Sequence, residues 1–255
     1  MYAIFAITRF TLLEALHNRL VWLFLLLLLI GIMLAEFMGG ISITESLVVK
    51  TSLLSASLRI FAVFVISLFV ITSMVREIND KGLALTLSFP VSRASYYFGK
   101  FLGYSFIAFM MVLLIGFCLI FYAPALQVFI WISSLFCELL IMTALCLLCV
   151  FTFTQVTTAI TAVAAFYVLA RSLHAIQLMS QGPLIDPNSL VQTYSIKVLN
   201  IIAHFLPDLH RFSPSSWLVY AETSVDQIIP IILQTVIYVS VLTMAGLFDL
   251  YRKNL

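Results

Sequence analysis

Charge is what this chain has least of. Only 9% of its 255 residues are Asp, Glu, Lys or Arg, and 63% are hydrophobic, whereas about a quarter of an ordinary soluble protein is charged. A water-facing surface cannot be made from so few charges, so the composition points to an integral membrane protein. The net charge of +2 is small, and the basic residues sit at the ends of apolar runs instead of forming one patch, which excludes nucleic-acid binding. A phosphate-binding loop is missing as well. Gly99-Lys100 is followed by Phe101, and Ala94 stands where a Walker A loop needs its first glycine, so the chain does not bind ATP by that route. Neither H-E-x-x-H nor G-x-S-x-G occurs. His204 and His210 straddle Pro207, too far apart for one helical face, which argues against a metal pair. The four cysteines, Cys118, Cys137, Cys146 and Cys149, all fall in apolar runs and read as small packing residues. Cys146 and Cys149 form a C-x-x-C with no second pair or histidine beside it. No catalytic constellation, metal site or cofactor is expected in this chain. The residual catalytic reading is an intramembrane enzyme built on Glu138 or the outer histidines.

What is present is a succession of apolar runs long enough to cross a hydrocarbon core of about 30 Å. Six spans are expected, over about 20–38, 55–75, 101–122, 127–150, 159–177 and 227–248. The first has no small-residue cleavage site behind it and reads as a retained anchor. Before it, residues 8–20 place Leu12, Leu13, Leu16 and Leu20 at helical spacing with Glu14, Asn18 and Arg19 on other faces. That pattern predicts an amphipathic interfacial helix, or else a plain extension of the first span. Residues 39–51 read as an external loop, with Arg59 near enough to the outer surface to snorkel. The longest segment outside the spans, 179–226, contains Gly182-Pro183 and Asp186-Pro187 as breakers, Asn188 or Ser189 as a cap, and Pro207 as a stop. It predicts one helix before Pro207 and a second short one from Pro214 carrying Trp217, Leu218 and Tyr220. One membrane domain, 1–255, accounts for the whole chain.

Six crossings put both termini on one side. Arg9, Arg19, Arg76, Lys81, Arg93, Lys100, Arg252 and Lys253 fall on that side, against Lys50, Arg59, Lys197 and Arg211 on the other. The positive-inside rule therefore makes the terminal side cytosolic.

Two ionisable residues fall in the middle of spans. Glu138 and Arg171 each lie about twelve residues inside an apolar run, and each would cost about 2.5–3.5 kcal/mol or more alone in lipid. A mutual ion pair is the expected resolution. The alternative is outward snorkelling by Arg171 and His174 with Glu138 protonated.

Residues 76–100, REINDKGLALTLSFPVSRASYYFGK, form a charged segment between the second and third spans. A short helix over 77–88 is expected along the cytosolic face, with Leu83, Leu85 and Leu87 as its apolar side. Pro90 ends it, while Arg93, Gly99 and Lys100 mark re-entry into the membrane. Glu77, Gly82, the leucines after it, Pro90-Val91-Ser92-Arg93 and Gly99-Lys100 together resemble the membrane-spanning permease subunit of type-2 ATP-binding-cassette exporters. The six-span layout, the amphipathic N-terminal helix and the helical insert before the last span extend that resemblance over most of the chain.

The resemblance implies a bacterial inner-membrane permease. It would pair with a second membrane half, often an identical copy, and with separate cytosolic ATPase subunits that hold ATP and Mg. It also implies that the 76–100 loop is the coupling element: Glu77 and Arg93 orient it, Gly82 permits close approach, and Leu83 and Leu87 dock. The competing reading is a membrane scaffold that recruits a cytosolic partner through the same loop and transports nothing.

Overall fold

The computed structural model describes residues 2–41, 45–82, 91–153, 155–180, 206–220 and 225–252. Among them there are eight α-helices and no strand: α1 Tyr2–His17, α2 Leu20–Ile41, α3 Ser46–Asn79, α4 Arg93–Leu119, α5 Ala125–Thr152, α6 Val156–Ser180, α7 Ser216–Tyr220 and α8 Ile228–Arg252. Helices α2 to α6 and α8 are each long and apolar enough to cross a membrane, so the chain is an all-α, multi-pass membrane protein. The most enclosed is α5, and α2 and α8 are the least enclosed. Helix α5 touches α3, α4, α6, α7 and α8. It carries a fully buried ladder of Trp131, Leu135, Leu139 and Met142.

The spans run longer than the hydropathy pattern predicts. Helix α3 begins at Ser46 and has 34 residues, about 50 Å at 1.5 Å per residue, so most of the expected external loop over 39–51 is helix. The reason lies in its hydroxyls. Thr51, Ser52, Ser55 and Ser57 donate to the carbonyls of Leu47, Val49, Ser52 and Leu54, which satisfies them within their own helix. Lys50 is neutralised by Glu36 on α2 at 2.6 Å. Gly39 leaves room for the stem of that lysine, since a side chain there would overlap it. The Tyr122 hydroxyl adds a 2.9 Å hydrogen bond to Glu36. The end of α2, the start of α3 and the turn after α4 are thereby tied together.

The N-terminal helix runs Tyr2–His17 and breaks at Asn18–Arg19, so it starts and ends earlier than the 8–20 pattern suggests. It is held by α4. Thr8 donates to the Gly99 carbonyl at 3.0 Å. A side chain at Gly99 would meet Ile7 at 3.0 Å, and one at Gly103 would meet Thr11 at 2.9 Å. Two glycines one turn apart therefore make a groove in which α1 runs alongside α4 in the same sense, the close approach that small residues four apart allow in membrane helices.

At the same end of the bundle, α4 meets α8. Tyr97 packs over Gly246, where a side chain would collide with its ring. Thr152, at the end of α5, donates to Asp249 at 2.6 Å. The start of α1, the ends of α3, α5 and α8, and the start of α4 share one face.

Candidate functional site

Helix α3 does not stop where a separate loop helix would begin. Residues 75–79 contain no breaker, so Glu77 belongs to its last turns and not to a helix over 77–88. The helix ends with Asp80 donating its amide to the Arg76 carbonyl at 2.9 Å and Lys81 in the left-handed region at φ 57°. Gly82 follows against Glu77: a side chain there would press on the Glu77 methylene at 3.2 Å. Leu83, Leu85, Leu87 and Pro90 lie outside the described residues, as does nearly all of the expected coupling helix.

The base of the loop is well defined. Lys100, 3% exposed, meets Glu77 at 2.5 Å and pins the first turns of α4 to the end of α3. Ser92 caps α4, its hydroxyl accepting from the Ser95 amide at 3.1 Å, as serine does at helix starts. One residue on, Arg93 donates to the carbonyls of Leu250 at 2.8 Å and Tyr251 at 3.1 Å. These are orphan carbonyls at the end of α8, where the helix dipole favours a cation. The Arg93 guanidinium also lies 6.0 Å from the Tyr251 ring centre.

Behind the Glu77–Lys100 pair, Ser73 donates to Glu14 of α1 at 2.7 Å and Tyr104 donates to Ser73 at 3.1 Å. Glu14, Ser73, Glu77 and Lys100 line a crevice of about 490 Å³ together with Ala6, Phe10 and Arg76. The sequence-predicted residues Glu77, Arg93, Gly99 and Lys100 are thus gathered at one place. Glu14, Ser73 and Tyr104 complete it, and only the position of Glu14 on the polar side of α1 hinted at them.

The second cluster lies at mid-bundle. Glu138 is fully buried, and its Oε1 is 3.6 Å from Arg171 Nη1, an ion pair at a distance too long for a hydrogen bond. The pairing expected from mid-span positions is present. Arg171 does not snorkel: it donates to the carbonyls of Leu209 at 2.6 Å and Phe212 at 3.1 Å.

Arg59 is a correction. It is 9% exposed and donates to the Ser213 carbonyl at 2.8 Å, because α3 starts nine residues earlier than its apolar core and so carries Arg59 to mid-helix. Trp131 Nε1 donates to the same carbonyl at 3.0 Å. Ser213 returns its amide to Ser134 at 2.9 Å and its hydroxyl to Glu138 at 2.9 Å.

The segment from Leu206 to Ser215, between the expected helix before Pro207 and α7, is therefore a wedge inserted among α3, α5 and α6. The short helix expected after Pro214 is α7. The helix expected over 188–205, with His204 and Lys197, lies outside the described residues. At the wedge's edge, His174 and His210 stack with ring centres 4.5 Å apart. Burial and the neighbouring His174 hold the His210 pKa below its ordinary value. No group of three or more His, Cys, Asp or Glu placed to hold a metal occurs among the described residues. The inserted wedge was missed from sequence, although Trp131, two turns into its span and needing an acceptor, was a signal.

The chain matches no protein-family model and no curated protein.

Proposed function

We infer that this chain is the membrane subunit of a type-2 ATP-binding-cassette exporter, seated in a bacterial inner membrane. It pairs with a second membrane half, in the simplest assembly an identical copy, and with separate cytosolic ATPase subunits that hold ATP and Mg. The observation that carries the reading is the anchorage at the root of the 76–100 loop. Glu77–Lys100 joins it to α3 and α4, Thr8–Gly99 to α1, and Arg93 to the last carbonyls of α8. A push on residues 81–92 would be delivered to four helices at once, as a separate motor requires. When ATP draws the two cytosolic subunits together, the loops move with them, and the helices shift between inward- and outward-facing arrangements.

The basic residues support the orientation. With Arg59 inside the bundle, the excess of Lys and Arg on the loop side is larger than the sequence tally allowed.

A scaffold that recruits a cytosolic protein through the same loop needs the loop but not its ties to α8. Purification with the ATPase, followed by hydrolysis measurements with and without this chain, separates the two readings: an exporter subunit changes the ATPase rate, whereas a scaffold only binds.

A further inference from the structure

Helix α8 is largely apolar, yet Gln227 just before it and Gln234 two turns inside it share one face, with Pro230 and Ile231 between them at helical spacing. That face lines a cavity of about 380 Å³, whose other wall brings His210 and Arg211 from the wedge and Ser216 and Trp217 from α7. The size suits a small molecule. Because the far end of α8 receives Arg93, the cavity lies at the end of the bundle away from the 76–100 loop. Its polar side chains are unspent: those of Ser216, Trp217, Gln227 and Gln234 make no hydrogen bond among the described residues. Gln234 is half-buried, and an amide withdrawn from water without a partner is costly.

Charge narrows the chemistry. Arg211, the only Lys or Arg among the described residues of the lining, is already paired with Asp208 at 2.8 Å, so a phosphate or carboxylate finds no free cation. No carboxylate lines the cavity to hold an ammonium. An alkyl chain would leave both amides unpaired. What fits is an uncharged molecule rich in hydroxyls, with an apolar side for the Trp217 ring.

We propose that this cavity binds one pyranose ring of a neutral sugar, free or at the head of a glycolipid. Each hydroxyl both donates and accepts, as each glutamine amide does, and the C–H face of the ring meets the negative face of the indole. The site holds its ligand whether or not the chain serves an exporter.

The test uses the full chain in nanodiscs of phosphatidylethanolamine and phosphatidylglycerol, free of glycoside detergent. Saturation-transfer NMR is run with the methyl β-glycosides of glucose, galactose and N-acetylglucosamine, and with glycerol 1-phosphate as the anionic comparison. A second arm dopes the disc with a glucosyl diacylglycerol carrying a diazirine on its sugar and maps adducts by mass spectrometry. Transfer to at least one glycoside identifies a free sugar; adducts on Trp217 or Gln234 without such transfer identify a glycolipid. Trp217→Leu and Gln234→Leu are each expected to weaken binding about fivefold, the effect of one ring contact or one hydrogen bond, while Trp22→Leu on α2 changes nothing. Gln227→Leu, at the exposed start of α8, supplies the same comparison if Gln234→Leu does not insert. Neither transfer nor adducts in the parent chain, binding unchanged in the cavity variants, or glycerol 1-phosphate bound as tightly as the glycosides would each overturn the site.

Discussion

Ser213 donates its hydroxyl to Glu138 at 2.9 Å while its own backbone sits in the left-handed region at φ 43°. A residue with a Cβ is strained there, and glycine is not. What holds Ser213 is the convergence of Arg59 and Trp131 on its carbonyl and of Ser134 on its amide. Ser213→Ala loses the hydroxyl and keeps the strain; Ser213→Gly loses the hydroxyl and relieves it. Both are expected to lower the unfolding midpoint in detergent, alanine by about 1 kcal/mol more than glycine. Equal effects would mean that the backbone conformation carries no strain.

The cluster holds two arginines and one carboxylate, which fixes an order of damage. Glu138→Leu leaves Arg59 and Arg171 facing each other with no anion, whereas Arg171→Leu leaves one charge of each sign. Glu138→Leu is expected to cost about 3–5 kcal/mol, as breaking a buried pair does, and Arg171→Leu distinctly less. Thermal unfolding of the two variants in the same detergent checks this, and the reverse order would contradict the assigned partners.

The groove that receives α1 makes a steric prediction. A side chain at Gly103 would meet Thr11 Cβ at 2.9 Å, so Gly103→Leu should lift α1 away, with a cost of about 1–3 kcal/mol from overpacking. Amide hydrogen exchange over α1 should be faster in Gly103→Leu than in the parent chain, and equal protection in the two would contradict the groove.

Acid should loosen the wedge. His210 faces His174, Arg171, Arg59 and Asp208, and its pKa is depressed by burial and by the cations around it; Asp208 is itself paired with Arg211 at 2.8 Å. The native state therefore binds fewer protons than the unfolded chain. The stability due to His210 is fully present above its unfolded pKa of about 6.5 and declines as pH falls from there toward the folded value. Hydrogen exchange over 206–215 should be faster at about pH 5.5 than at about pH 7.5, and His210→Phe should flatten the difference.

Apolar length alone made the six spans legible, and Glu138 and Arg171 announced each other by lying at equal depth in neighbouring runs. The helix ends were less legible, because hydropathy counts Thr51, Ser52, Ser55 and Ser57 as polar although their hydroxyls are spent inside α3. That misjudged start is why Arg59 read as a surface residue. The Leu206–Ser215 wedge could not be read from periodicity, since its partners are single atoms on three other helices. At the loop base, Glu77 and Lys100 were visible as charges flanking a loop. The acceptors of Arg93 were not, because they are backbone carbonyls at the far end of the chain.

The most direct measurement is ATP hydrolysis by the partner ATPase reconstituted with this chain and with four variants: Arg93→Ala, Glu77→Lys, Lys100→Glu, and the Glu77→Lys/Lys100→Glu exchange. If residues 76–100 carry work into α3, α4 and α8, each single variant inserts normally and loses most of the stimulated rate, and the exchange recovers a large part of it. Full stimulation in all three single variants, or an ATPase that binds this chain without any change in rate, would contradict the account.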